Sequence, residues 1–255
     1  MKPAACFKVL ASAALSAILC TAGTPANAAG AAASAVSGAA NAVDGGLQPF
    51  KAHYIADWKG INVAVSDIEM TAGDSPGEFV YRWSVAARGV FRLLYSDPVI
   101  QTSWFKLEDG HVRPHEYRGE QGGLSVNVQF NWLDMRATGT SENRPIDLPL
   151  KAGAQDLNSI QAETMTDLRN GDLPNTIQML DKDQLKDFDY VQEGTARIRT
   201  DLGELDTIVV ASRRKGNDRV MRMWFAPSLG FVPVKAERSR HGSVEFTMHI
   251  KSLTR

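Results

Sequence analysis

Hydrophobic and polar residues alternate along most of the chain between residues 49 and 255. A period of two is typical of β-strands that bury one face. The clearest example is residues 124–132, in which every second residue is apolar. Similar alternation occupies residues 79–85, 221–225 and 244–250. The pattern predicts a mainly β protein.

Short turn sequences rich in Gly, Asp, Asn and Pro separate these segments. They occupy residues 73–77, 108–110, 122–123, 201–203, 215–218 and 241–242. Strands joined by such short turns pair as antiparallel neighbours. A flat sheet of ten or more strands is uncommon. We therefore expect an antiparallel meander curled into a barrel, half-barrel or β-roll.

One segment has the spacing of a short amphipathic helix instead. The apolar residues that would share one helical face are Leu157, Ile160, Met165 and Leu168. Asp156 or Asn158 is suited to the N-cap, and Gly171 can take the left-handed conformation just past the end. A single helix of about three turns among strands should plug or cover the open side of the curved sheet.

The first 28 residues have the features of a secretory signal peptide. Two lysines precede an apolar run over residues 9–23, and Ala26-Asn27-Ala28 is a small-x-small cleavage sequence. The run is shorter than the roughly 20 residues that span a bilayer, so no integral membrane span is expected in the mature chain. The bulky Leu19 before Cys20 makes lipoprotein anchoring at Cys20 a weaker interpretation.

The signal peptide fixes the predicted domain plan and the compartment. Cleavage after Ala28 would release a periplasmic or otherwise exported protein without Cys6 and Cys20, the two cysteines of the chain, and hence without a disulfide. Residues 29–48, mostly Ala, Gly and Ser, predict a flexible tether. Residues 49–255 then form a single β-rich domain.

The charge balance argues against a nucleic-acid partner. The chain carries 28 basic and 29 acidic residues, and loss of the two lysines of the signal peptide leaves a net charge of −3. Charge is nevertheless uneven, because residues 191–255 contain twelve basic and seven acidic residues. The C-terminal strands are therefore a candidate surface for an anionic partner.

The candidate binding residues fall in two groups. In the C-terminal strands the candidates are Arg197, Arg199, Arg222 and Trp224, within a basic strip that also contains Arg213, Arg214, Lys215 and Arg219. Arginines bind phosphates and carboxylates in a bidentate manner, and a neighbouring Trp suits sugars or lipid headgroups.

The second group is a polar strip beside a possible ligand mouth. A period of two places its members on one strand face, and they are His111, Arg113, His115 and Tyr117. The two histidines would be about 13 Å apart, too far to share one metal ion. We therefore expect no metal site and no cofactor.

The sequence contains no familiar catalytic motif such as a nucleophile elbow, a zinc-protease helix or a phosphate loop. Asp156 and Glu163 are a candidate carboxylate pair for glycosidic chemistry. Seven residues of helix would separate them by about 10 Å, beyond the usual spacing. No catalytic residue is assigned.

Two sequence stretches carry a family resemblance. They are the Gln-Asp-Leu-Asn-Ser run at residues 155–159 and the Trp-x-Ala-Pro-x-Leu-Gly-x-x-Pro-Val pattern at residues 224–234. On these the chain resembles the domain-of-unknown-function 3108 family of exported bacterial proteins. The resemblance implies a β-rich periplasmic or surface protein and brings no catalytic or ligand residues.

These observations favour a non-enzymatic envelope protein that binds a lipid or other apolar molecule within the concave sheet, or an anionic envelope component along the basic strands. Its possible partners are a lipid, a glycan or an envelope protein. The alternatives are a glycan or peptide hydrolase and an assembly factor without a small ligand. An apolar site predicts an open cavity lined by Met, Phe and Trp, whereas an assembly factor predicts a large exposed apolar patch.

Overall fold

The computed structural model describes residues 46–255. The predicted signal peptide, both cysteines and residues 29–45 of the predicted tether lie outside the described residues. Within residues 46–255, fourteen strands form one sheet and a single α-helix follows the eighth strand. No helix in this part of the chain is long and apolar enough to cross a membrane.

Each of the six turns that the sequence predicts separates two consecutive strands. The strands are β1 (Phe50–Trp58), β2 (Ile61–Ala72), β3 (Glu78–Ala87), β4 (Val99–Glu108), β5 (His111–Gln121), β6 (Leu124–Asn131), β7 (Arg136–Ser141), β8 (Arg144–Pro149), β9 (Thr176–Asp181), β10 (Gln184–Thr200), β11 (Gly203–Arg214), β12 (Arg219–Ala226), β13 (Val232–Arg240) and β14 (Ser243–Thr254). Helix α1 (Ser159–Asn170) lies between β8 and β9, and short 3₁₀ helices occupy Gly89–Leu93 and Pro227–Leu229.

The sheet consists of two antiparallel meanders joined at their ends. Strands β1–β8 and β9–β14 each run in sequence order, and β1 pairs with β14 in the middle of the sheet. Strands β8 and β9 form the two outer edges, so the sheet is open rather than closed. The prediction of a mainly β protein built from an antiparallel meander with one helix is confirmed.

The segment before α1 holds the curled sheet together across its interior. Gln155 forms a parallel bridge with Met179 of the edge strand β9. The same residue donates a hydrogen bond from its Nε2 to the backbone oxygen of Val112 in β5, at 2.8 Å. Gln155 is fully buried. It therefore links one edge of the sheet to a strand in the opposite half.

Helix α1 is buried on more than its apolar face. Nine of its twelve residues are buried, and these include Glu163, Thr164, Thr166 and Asp167. Gly171 ends the helix with a φ of 74°, as expected for a left-handed C-cap. The helix lies within the curved sheet, so its buried polar side chains are costly unless they have partners within the protein.

Asp156 performs the capping function for which the sequence offered two candidates. Its Oδ1 accepts hydrogen bonds from the backbone N–H groups of Asn158 and Ser159, at 2.8 and 2.9 Å. Asn158 makes no side-chain cap, and its Nδ2 instead donates to the backbone oxygen of Tyr81. The buried side chain of Asp156 thus satisfies the first amides of the helix.

The expectation that His111, Arg113, His115 and Tyr117 share one strand face is wrong. Trp104 and Phe105 of β4 pair with Glu116 and Pro114, which leaves His115 as an extra residue in a β-bulge. A bulge reverses the alternation of side chains beyond it. His115 is therefore exposed, while Tyr117 points into the core and is 4% exposed.

Candidate functional site

A cavity of about 180 Å³ lies between α1 and the concave face of the sheet. Much of its wall is apolar, with methionines and phenylalanines from β9, β12 and β14. These include Met179, Met221, Met223, Phe225, Phe246 and Met248. The cavity remains after the helix has docked, and its lining matches the one expected for an apolar ligand site.

Strand alternation explains why these side chains converge. Met221, Met223 and Phe225 are the inward positions of β12, and they face the cavity from one side. Phe246 and Met248 are inward positions of β14. Methionine is unbranched and polarizable, so it adapts to ligands of irregular shape. The wall therefore presents adaptable methionine side chains from the strands of the sheet.

Three arginines bring positive charge to the same cavity. Arg214 ends β11, Arg219 begins β12, and Arg238 lies on β13 opposite Met221. Arg238 is only 3% exposed, and its Nε lies 3.8 Å from Glu245 Oε2. Burial, together with the neighbouring Arg219, lowers the pKa of Arg238 to about 10, although Glu245 acts in the opposite direction. An anion beside these guanidinium groups would relieve their repulsion.

Four residues of the cavity wall each carry a buried polar atom that has no hydrogen-bond partner among the described residues. The four atoms are Tyr81 Oη, Asn158 Oδ1, Gln161 Oε1 and Arg219 Nε. A buried polar atom without a partner costs about 1–3 kcal/mol.

The arginines expected to bind an anionic partner lie elsewhere. Arg222 and Trp224 alternate with Met221 and Met223 on β12 and do not line the cavity. Trp224 is buried, whereas Arg197 and Arg199 are exposed on β10. Arg222 makes a bidentate pair with Glu193, at 2.7 and 3.0 Å, which raises its pKa.

Other predicted binding residues of the C-terminal strands also contact neighbouring side chains. Arg197 pairs with Glu204 at 3.1 Å, and the Lys235 ammonium covers Trp224 at 4.4 Å from its ring centroid. The predicted basic strip is therefore divided between the two faces of the sheet. Arg214 and Arg219 of that strip line the cavity.

The position of Arg219 was readable from the sequence. Arg219, Met221 and Met223 are spaced by two, so they share the inward face of β12. Ala236 and Arg238 have the same spacing on β13, but the approach of Arg238 to the cavity wall of β12 depends on the pairing of the two strands.

His111 contacts α1 rather than the other polar residues of its strand. Its Nδ1 lies 3.1 Å from Glu163 Oε1, and Oε2 of the same carboxylate accepts the backbone N–H of Val112 at 2.5 Å. Burial raises the pKa of Glu163, an effect that the contacts with Val112 and His111 oppose. His115, at the bulge, is not part of this cluster.

Asp167 lies one helical turn beyond Glu163 and is 1% exposed. Its Oδ2 has no hydrogen-bond partner among the described residues. Burial, and secondly the charge of Glu163, raise the pKa of Asp167 to about 7. The i, i+4 spacing of the two carboxylates is visible in the sequence, but their meeting with His111 depends on how α1 docks.

Comparison with solved structures identifies proteins of similar fold. The crystal structure of a β-barrel-like protein of domain of unknown function DUF1849 from Brucella abortus is 11% identical, with a TM-score of 0.56, over 82% of this chain and 98% of that chain. That likeness concerns the fold alone.

Two further solved structures are more distant. A protein described as exported, with a YmcC-like fold, from Bacteroides fragilis is 9% identical with a TM-score of 0.39, over 82% of this chain and 97% of its own. A protein described as a lipoprotein from Parabacteroides distasonis is 11% identical with a TM-score of 0.32, over 82% of this chain and 96% of its own.

Family assignment rests on the sequence itself. No curated protein matches the chain. The model of the family described as "Protein of unknown function (DUF3108)" matches residues 53–249, which is most of the chain and nearly all of the sheet. The chain therefore belongs to the DUF3108 family.

Proposed function

We propose that this protein is an exported envelope protein that binds an anionic amphiphile in the cavity beneath α1. The apolar part of the ligand would contact the methionines and phenylalanines of β12 and β14, and its anionic group would face Arg219 and Arg238. The observation that carries this proposal is the combination of an apolar cavity with two neighbouring guanidinium groups in its wall.

The size of the cavity limits the part of the ligand that it encloses. An apolar cavity of about 150 Å³ in another protein takes up a benzene molecule. The volume of about 180 Å³ found here therefore suits one ring or a short stretch of alkyl chain. A longer chain would extend through the mouth or displace α1.

Ligand binding can be tested with a probe of matching chemistry. Anilinonaphthalene sulfonate joins aromatic rings to a single negative charge, so one ring can enter the cavity while the rest of the molecule extends through its mouth. Its fluorescence rises in apolar surroundings. We expect saturable one-site binding that lauric acid displaces. Met248→Trp would fill the cavity and weaken binding at least about tenfold, a loss of about 1.4 kcal/mol.

Thr247→Trp is the matched control, because Thr247 is the neighbour of Met248 on the opposite face of β14. This variant should bind the probe like the wild type. Equal binding by both tryptophan variants would place the probe outside the cavity and contradict the proposal. Circular dichroism of both variants establishes that the sheet is intact.

We further propose that residues 1–28 are removed on export, that residues 29–48 form a tether and that residues 49–255 fold as one domain. N-terminal sequencing of the protein recovered from the periplasm should begin at Ala29. A chain that retains Met1 in the cytoplasm would contradict this processing.

One surface feature favours a second function, contact with an anionic membrane surface. The 3₁₀ helix at Gly89–Leu93 exposes Val90 and Leu93 to 72% and 88%, with Leu94 exposed beside them. Two arginines, Arg88 and Arg92, are also exposed in this segment. Apolar side chains flanked by arginines suit the interface of anionic lipids.

Vesicle binding separates this second function from the first. Val90→Ser with Leu93→Ser should abolish sedimentation with phosphatidylglycerol vesicles while leaving probe binding in the cavity unchanged. Sedimentation equal to that of the wild type would contradict the membrane contact.

A further inference from the structure

A histidine and two carboxylates meet where α1 crosses the start of β5. One ligand atom from each of His111, Glu163 and Asp167 lies within 4.8 Å of the other two. Glu163 and Asp167 are one turn apart on the same face of α1, and His111 comes from the sheet. The helix and the sheet thus converge on one point from two directions.

The ionic surroundings of this cluster are incomplete. Among the described residues, Glu163 forms an ion pair with His111, and Asp167 forms none. Asp167 is almost fully buried, one of its carboxylate oxygens lies within 4.8 Å of the other two ligand atoms, and its Oδ2 has no hydrogen-bond partner among residues 46–255. A buried carboxylate is costly unless a cation or hydrogen-bond donors meet it.

We propose that His111, Glu163 and Asp167 form a binding site for a divalent transition metal of the zinc class. Zinc accepts imidazole nitrogen and carboxylate oxygen at about 2.0–2.2 Å. The imidazole distinguishes this site from the all-oxygen sites of calcium and magnesium. Three protein ligands leave a fourth position for water.

Small side-chain movements would bring the three groups to coordination distance. Ligands of a tetrahedral ion lie roughly 3.5 Å from one another, somewhat closer than the limit of 4.8 Å that encloses them here. The His111 side chain is 61% exposed, so it is free to rotate toward the carboxylates. A bound ion would replace the contact between His111 and Glu163 with bonds to the metal.

A metal ion at this site would link the helix to the sheet. The metal would connect α1 directly to β5, in addition to the hydrogen bond between Glu163 and the backbone of Val112. Because α1 also lines the apolar cavity, metal binding would hold in place one wall of that cavity. The metal site rests on these three residues and does not depend on the identity of the cavity ligand.

Calorimetric titration of the chelator-stripped protein with zinc chloride tests the site. We expect one zinc ion per chain, with slower amide exchange in α1 when zinc is present. His111→Gln and Asp167→Asn should each weaken binding at least about 100-fold. His111 is largely exposed, so its replacement leaves the fold intact even if Asp167→Asn does not fold.

His241→Gln provides the matched control. His241 is an exposed histidine paired with a carboxylate, Asp218, at 2.7 Å, and it lies outside the cluster. This variant should bind zinc like the wild type. Loss of binding in His241→Gln alone, unchanged binding in both cluster variants, or failure of the wild type to bind one equivalent would each overturn the proposal.

Discussion

The side-chain carboxylate of Glu163 in α1 accepts the backbone N–H of Val112 in β5. Pairing of β5 with β6 starts only at Glu116, so the preceding residues of β5 expose backbone groups on that side. Side chains form hydrogen bonds with these backbone groups. Gln155 donates to the oxygen of Val112, and Trp132 donates to the oxygen of Pro114. Helix α1 and its flanking residues therefore complete an interrupted strand edge.

This relationship predicts the effect of truncating Glu163. Glu163→Ala would leave the buried N–H of Val112 without an acceptor, which costs about 1–3 kcal/mol. Urea unfolding with a chelator present should show a loss in that range. Glu163→Gln keeps an acceptor oxygen and should retain most of the stability. A loss in the glutamine variant equal to that in the alanine variant would contradict this role for the hydrogen bond.

Asp156 gives a prediction that depends on pH. Burial raises its pKa in the folded protein, although hydrogen bonds from Ser103, Ser159 and Asn158 oppose the shift. The folded state therefore holds a proton that the unfolded state releases near pH 4, and the contribution of this group to stability falls as the pH rises from about 4 through the folded pKa. Asp156→Asn should remove this pH-dependent contribution to the free energy of unfolding.

The matched variant for Asp156 separates charge from capping. Asp156→Asn retains an oxygen for the two helix amides, whereas Asp156→Ala removes it and should cost about 1 kcal/mol at every pH. The measurement is the free energy of unfolding at several pH values between 4 and 8. An unchanged pH dependence in the asparagine variant would contradict the assignment to Asp156.

The sequence was sufficient to locate the strands and the helix but not to predict which distant strands pair. Period-two alternation located the strands at residues 79–85, 124–132, 221–225 and 244–250, and Gly171 marked the end of the helix. Local periodicity carries no information on which distant strands pair. The β1–β14 pairing and the bridge from Gln155 to β9 depend on long-range packing.

In the candidate site, too, some features follow from the local sequence pattern and others depend on the fold. An apolar ligand site requires an open cavity lined by Met, Phe and Trp, and the structure has a cavity with Met and Phe in its wall. The candidate arginines, however, were grouped by their order along the chain. Arg222 and Arg219 are three residues apart and therefore face opposite sides of β12. The bulge at His115 also reverses the orientation of Tyr117, and single-residue insertions of this kind leave no clear sequence signal.

The arginines of the cavity predict a preference for anionic ligands. Arg219→Gln should weaken the binding of laurate about 10- to 100-fold, because hydrogen bonds to charged groups contribute about 1.5–3 kcal/mol. Binding of dodecanol, which has the same chain length without the charge, should change little. Competition against anilinonaphthalene sulfonate measures both ligands.

Arg240→Gln is the control for this prediction. Arg240 lies two residues beyond Arg238 and pairs with Asp218 at 3.1 Å, outside the cavity. Its replacement should leave both affinities unchanged. Equal weakening of laurate and dodecanol by Arg219→Gln would mean that the arginine supports the cavity wall rather than an anionic group.

The most direct test of the proposed function is native mass spectrometry of the protein purified from the periplasm without detergent, followed by solvent extraction. We predict a stoichiometric anionic amphiphile that leaves on extraction and that the Met248→Trp variant fails to retain. A wild-type protein that carries no such molecule and binds neither laurate nor anilinonaphthalene sulfonate would contradict the assignment of the cavity as a ligand site.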